Sequence, residues 1–121
     1  MPKNPNRVLS FILLALLCVA CSDSPTYEAL APGTPVLAFG DSVTHGLEAG
    51  RGEDYPTRLA QRSGWEVVNA GVPGDTAGLA KSRIETLLRE TAPALVIVEL
   101  GGNDFLRRRP EKEIMYYLHS R

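Results

Sequence analysis

The chain has 121 residues, enough for one domain at most, and its 44% apolar and 22% charged content is that of a globular protein rather than a disordered segment. Its formal charge of −1 turns more acidic once Lys3 and Arg7 are set aside, which argues against the basic face of a nucleic-acid binder, so no nucleic-acid partner is expected. Both cysteines, Cys18 and Cys21, lie near the N-terminus, leaving the body without a disulfide framework or a cysteine-based zinc site; no cofactor and no metal are expected.

Lys3 and Arg7 give a basic start, and Val8 to Val19 is apolar apart from Ser10. Its length and flanks read as a secretory signal over residues 1–20, too short for a comfortable transmembrane helix. The segment ends Leu17-Cys18-Val19-Ala20-Cys21. This resembles a bacterial lipobox, in which small residues precede a cysteine that is lipidated and becomes the mature N-terminus; Cys18 stands where that pattern prefers leucine. Ordinary cleavage after Ala20 is the alternative. The resemblance implies export to the periplasm and a membrane partner through lipid on Cys21, and Ser22 after it favours the outer membrane. Residues 21–35, with Pro25, Pro32, Gly33 and Pro35, read as a flexible tether.

The body opens on Val36-Leu37-Ala38-Phe39, a buried-strand pattern that stops abruptly at Gly40-Asp41-Ser42. A polar loop from Glu48 to Asp54 leads to a short helix from Tyr55 to Arg62, with Pro56 in its first turn, where a missing N–H costs little. Trp65 to Ala70 reads as a second strand, followed by the turn-rich Gly71 to Thr76, in which Asp75 or Thr76 can cap the next helix. That helix runs from about Thr76 to Glu90, with Leu79, Ala80, Ile84, Leu87 and Leu88 on one face. Ala94 to Leu100 is a third strand, nearly continuous in apolar residues, which predicts burial on both faces. Gly101-Gly102-Asn103-Asp104 closes it. Arg107 to Arg109 reads as a solvated loop or helix start, and Pro110 to Arg121 shows only a poor helical pattern. Alternating strands and helices predict a parallel α/β sheet with right-handed crossovers.

Each strand thus ends in a polar, glycine-bearing loop, and a parallel sheet brings all three to one edge. That edge is where open α/β sheets bind ligands. Ester cleavage needs a nucleophile and donors aimed at the developing oxyanion. Ser42 offers a hydroxyl and its own N–H, while a glycine N–H from the second loop and the Asn103 amide offer two more donors. Asp41 and Asp104 read as acceptors that fix their loops, Asp75 as a cap, and Glu99 as a strand-end acid partnered by a loop donor.

Gly40-Asp41-Ser42-Val43-Thr44-His45-Gly46 resembles block I of the SGNH (GDSL) hydrolases, Asn69 to Thr76 resembles block II, and Gly101 to Asp104 block III. The likeness spans about Pro35 to Arg109, and is nearest to the arylesterase and lysophospholipase/thioesterase branch. It implies a flavodoxin-like three-layer αβα fold with a parallel sheet, and a serine hydrolase acting on small ester, thioester or lysophospholipid substrates. Ser42 is then the nucleophile, and the N–H groups of Ser42 and Gly74 and the Asn103 amide form the oxyanion hole. The family's last block, Asp-x-x-His, supplies the base. No such pattern occurs here: the histidines are His45 and His119, and Tyr116 stands three before the latter. Residues 36–121 are therefore read as the N-terminal portion of such a domain, truncated after the third strand: a fragment, or a frame disrupted near Glu111. Without a base it is expected to be inactive, and its third strand, lacking a further neighbour, is expected to promote aggregation. The alternative is a non-catalytic, lipid-anchored α/β binding or remnant protein; neither of the common glycine-rich phosphate-cradling motifs is present for a nucleotide binder.

Overall fold

The computed structural model describes residues 27–119. The signal segment, the Cys21 lipidation site and the first part of the expected tether lie outside the described residues. Three parallel strands form the centre: β1 (Pro35–Gly40), β2 (Glu66–Gly71) and β3 (Leu95–Glu99), in the order β2-β1-β3. Five helices complete it: α1 (Ser42–His45), α2 (Tyr55–Ser63), α3 (Ala77–Thr91), α4 (Gly102–Leu106) and α5 (Glu111–His119). No helix of the described residues is long and apolar enough to cross a membrane.

The α/β architecture follows from the pattern. β1 is the central strand, so it alone is sealed on both faces: Val36, Leu37, Ala38 and Phe39 are all buried. Leu37 and Phe39 face α3, packing with Ala80, Ile84 and Leu87 and with Val96 of β3. Ile97, one residue along, faces the opposite side with Tyr55 and Leu59 of α2. Helices therefore cover the two faces, as a right-handed crossover from β1 out to β2 and a second one back across β1 from β2 to β3 require. The expected burial of β3 on both faces is not what the structure shows. Leu95 and Val98 are exposed, because β3 pairs only with β1 among the described residues and its outer side has no neighbour.

Helix boundaries follow local chemistry. Asp54 caps α2 by accepting from the Thr57 N–H at 2.9 Å, and Gly64 ends it in the left-handed region at φ 74°. Thr76, not Asp75, caps α3, accepting from the Leu79 N–H. The poor pattern from Pro110 onward nevertheless forms a helix, α5, which lies on α3 with Lys81 above the rings of Tyr116 and Tyr117. Tyr117 also closes over Gly78, whose missing side chain leaves it room. The described end of the expected tether is fastened rather than loose. Leu30 O accepts from the Trp65 indole, Gly33 N–H donates to Gly64 O at 2.8 Å, and Glu66 N–H donates to Thr34 O.

Candidate active site

β1 and β3 are neighbours, while the chain leaves β1 toward β2 on the other side. The crevice between the C-terminal ends of β1 and β3 is thus the topological switch point of the sheet, where such folds bind ligands. Ser42 follows β1 and Asn103 follows β3, so the register of the sheet alone brings the first and third loops together there.

Asp41 joins them. Its Oδ1 accepts from the Val43 N–H at 3.0 Å, capping α1 and setting the turn that presents Ser42. Its Oδ2 lies 3.2 Å from Asn103 Nδ2. The second loop enters through the same amide, because Asn103 Nδ2 also donates to Asp75 O at 2.9 Å. All three loops therefore meet at Asn103. Asp104 secures the arrangement from behind: its buried carboxylate accepts from the Ala77 N–H at 2.9 Å and ties α4 to the start of α3. Asp41 and Asp104 are thus the loop-fixing acceptors that their setting suggested.

Two glycines let α1 sit directly on the strand ends. A Cβ on Gly40 would stand 2.1 Å from Thr44 Oγ1, and one on Gly71 would stand 2.1 Å from His45 N. Ser42 is half-buried, and its hydroxyl has no hydrogen-bond partner among the described residues. Gly74 takes φ 82° in the second loop, with its carbonyl held by Arg107 at 2.9 Å. No histidine is bonded to Ser42. His45 Nδ1 lies 3.3 Å from Gly71 O, and His119 Nδ1 lies 2.9 Å from Met115 O on α5. No group of histidine, cysteine, aspartate and glutamate among the described residues is arranged to hold a metal.

Several site residues escaped the sequence reading. Arg83 is the foremost. Its Nε and NH2 reach Asp75 Oδ2 at 2.8 and 2.7 Å, NH1 donates to Ala70 O at 2.8 Å and NH2 to Gly40 O at 2.9 Å. One guanidinium, lying 4.4 Å from the Phe39 ring, thereby clamps the ends of β1 and β2 to the second loop. Asp75 is its ion-pair partner rather than a helix cap. The signal was present: Arg83 falls three after Ala80 and four before Leu87, on the apolar side of α3. The other omission is a polar network in which Thr44 Oγ1 donates to Glu99 Oε2 at 3.2 Å and lies 3.0 Å from Tyr55 Oη. Burial, and then the Asp41 charge beside it, push the Glu99 carboxyl above its ordinary range.

Comparison with known proteins agrees with this geometry. The model of the GDSL-like lipase/acylhydrolase family matches residues 38–119. The match continues past Arg109 through α5. Esterase TesA of Pseudomonas aeruginosa is 33% identical over 111 residues, which cover 88% of this chain and 55% of that protein. Thioesterase 1/protease 1/lysophospholipase L1 of Escherichia coli is 38% identical over 101 residues, covering 82% of this chain and 44% of that protein. The crystal structure of AlinE4, an SGNH-hydrolase family esterase, superposes with a TM-score of 0.66 at 38% identity, over 74% of this chain and 51% of that one. The chain spans about half the length of the curated relatives it matches. With its three loops converging at one sheet edge and a family match across most of its length, the chain belongs to the GDSL-like lipase/acylhydrolase family, the SGNH hydrolases.

Proposed function

We propose that the chain carries the nucleophile and oxyanion half of a serine hydrolase site for ester or thioester bonds, with small esters, thioesters or lysophospholipids as substrates. The observation that carries this reading is the meeting of the three loops at Asn103, directly across the switch point from Ser42. Ser42 Oγ attacks the acyl carbon. The negative charge that develops on the carbonyl oxygen is met by the N–H groups of Ser42 and Gly74 and by the Asn103 amide; one such donor is typically worth about 10²–10³ in rate. Asn103 Nδ2 faces Asp41 and Asp75 O, so one of its N–H groups turns from these acceptors to reach the oxyanion as substrate binds.

The proton of Ser42 has no acceptor among these residues, and a serine enzyme without its histidine loses on the order of 10⁶ in turnover. Turnover by the chain alone is therefore expected to be very low. A second reading is a lipid-anchored protein that keeps the family fold without present activity. Fluorophosphonate labelling separates the two. Slow modification confined to Ser42, accelerated by added imidazole and abolished in Ser42→Ala, is the result expected of a nucleophile short of its base. A chain shown to be folded that stays unlabelled with imidazole present belongs to the second reading. Export and lipidation of Cys21 are tested separately, by incorporation of labelled palmitate in a bacterial host and its loss in Cys21→Ala.

A further inference from the structure

Helix α4 grips the second loop at three neighbouring points. Asn103 Nδ2 donates to Asp75 O at 2.9 Å, Arg107 Nη2 donates to Gly74 O at 2.9 Å, and Asp104 Oδ2 accepts from the Ala77 N–H at 2.9 Å. Asn103 and Arg107 stand one turn apart, the Arg107 N–H donating to Asn103 O at 3.0 Å, so their side chains leave the same side of the helix. Asp104 and Asn103 already have tasks, the one in fixing the loops and the other in meeting the oxyanion. Arg107 has none so far. Its side chain is exposed, yet it is laid on a single backbone carbonyl.

That carbonyl belongs to a turn of definite form. The Asp75 N–H donates to Val72 O at 3.1 Å across Pro73 and Gly74, and Gly74 has φ 82°. Proline at the second position and a left-handed glycine at the third make this a type II turn. The peptide joining Pro73 to Gly74 takes no part in the turn's own hydrogen bond, and the Gly74 N–H is given to no acceptor among the described residues. Its direction is therefore fixed only as the turn as a whole is fixed. From α3, Arg83 holds the Asp75 carboxylate. From α4, two side chains hold successive carbonyls, Asn103 at Asp75 O and Arg107 at Gly74 O. These two grips differ in kind. Asn103 Nδ2 has two hydrogens, and Asp41 Oδ2 and Asp75 O occupy both. To meet an oxyanion, the amide gives up one of these acceptors. The Arg107 guanidinium has no such second duty.

We propose that Arg107 is a positioning residue of the oxyanion site: its grip on Gly74 O keeps the turn from Val72 to Asp75 against α4, and the Gly74 N–H in its direction, while the Asn103 amide changes partners. Arg107 touches no reacting atom and acts through Gly74. A charged donor suits the task, since its bond to a carbonyl is stronger than that of a neutral amide. The effect on reactivity rests on the roles given above to Ser42, Gly74 and Asn103; the grip on the turn does not.

Two measurements on the intact chain test the two parts. In Arg107→Ala the Asp75 N–H, which shares its peptide with Gly74 O, is expected to exchange with deuterium about tenfold faster or more, at an unfolding midpoint near that of wild type. Fluorophosphonate labelling of Ser42 is run with imidazole over a range of probe concentrations. Its limiting rate is expected to fall about tenfold with half-saturation little changed, because a displaced oxyanion donor is lost to the transition state rather than to binding. Arg108→Ala removes the same charge one residue on, from another exposed side chain, and is expected to leave both readings at wild-type values. Should Arg107→Ala fail to fold, Arg107→Lys, which keeps the charge without the fork, is expected to show the same two changes in smaller measure. The proposal is overturned if Asp75 exchanges as in wild type once the guanidinium is gone, or if exchange quickens while labelling does not slow. It is equally overturned if the loss lies in half-saturation, or if Arg108→Ala lowers the limiting rate as much. A wild-type Ser42 that stays unlabelled discards the hydrolase reading and the oxyanion role with it; faster Asp75 exchange in Arg107→Ala would then retain Arg107 as the holder of the turn alone.

Discussion

At Gly40 the whole site depends on an atom that is not there. Thr44 Oγ1 occupies the space a Cβ would need, and Glu99 O bounds it at 2.6 Å, so neither neighbour can retreat without breaking the polar network. Gly40→Ala is expected to cost about 3 kcal/mol or more, beyond an ordinary overpacked site, as read from urea unfolding. The two acids with displaced titrations act on stability in opposite directions. Asp54, held low by the Thr57 N–H and hydroxyl, contributes stability that is fully present above the usual 3.8 and fades as pH falls through its lower native value. Glu99, pushed upward, binds its proton more tightly folded than unfolded, so stability falls as pH rises from 4.5 through its native value. Unfolding midpoints measured from about pH 3 to 8 should show a maximum on the acidic side. Glu99→Gln should flatten the descending limb, and Asp54→Asn the ascending one.

Among the elements, α3 does more than cover the sheet. Through Arg83 it fastens the C-terminal ends of β1 and β2 to the loop bearing Gly74. Lysine cannot reproduce that fork, and Arg83→Lys leaves carbonyls of Ala70 and Gly40 short of donors. The expected loss is about 2 kcal/mol, discounted because the pair keeps some access to solvent, together with slower labelling of Ser42 than the stability change alone explains. Hydrogen exchange at Gly71–Asp75, compared in the two chains, locates the loosening. The strands themselves were legible because Val36–Phe39 and Leu95–Val98 are apolar runs closed by glycine turns. The Ser42, Gly74 and Asn103 loops were legible because each closes a strand. Arg83 was not, since its partners are backbone oxygens on two strands and identify themselves only once the sheet is formed. The link from Thr44 to Glu99 crosses from α1 to the end of β3, which no local pattern records. α5 was underrated for a related reason: its rings pack on Lys81 and Gly78 of α3, a surface that periodicity within residues 111–119 does not contain.

For the molecule as a whole, the sheet has two open edges among the described residues, β2 and β3. Val98 is 56% accessible and sits beside a hollow of about 300 Å³ lined by Phe39, Ile84, Leu88 and Val96. An apolar strand edge of this kind invites pairing with another chain. Sedimentation velocity should show concentration-dependent association, and Val98→Lys should reduce it while leaving the unfolding midpoint nearly unchanged, since the side chain already faces water. A monomer at all concentrations would remove edge pairing as the source of any insolubility.

The central place of β1 also bears on the order in which the chain comes together. Val36 pairs with Val67 on one side and with Leu95 on the other, almost twice as far along the sequence. Closing the longer loop costs more chain entropy. The β1–β2 unit with its covering helix is therefore expected to form first and β3 to dock last. The same asymmetry persists in the native state as unequal local opening, so β3 amides should exchange with deuterium through lower-energy fluctuations than those of Leu37 and Phe39. The crevice that brings Ser42 and Asn103 together would then be the last part of the molecule to assemble and the first to come apart.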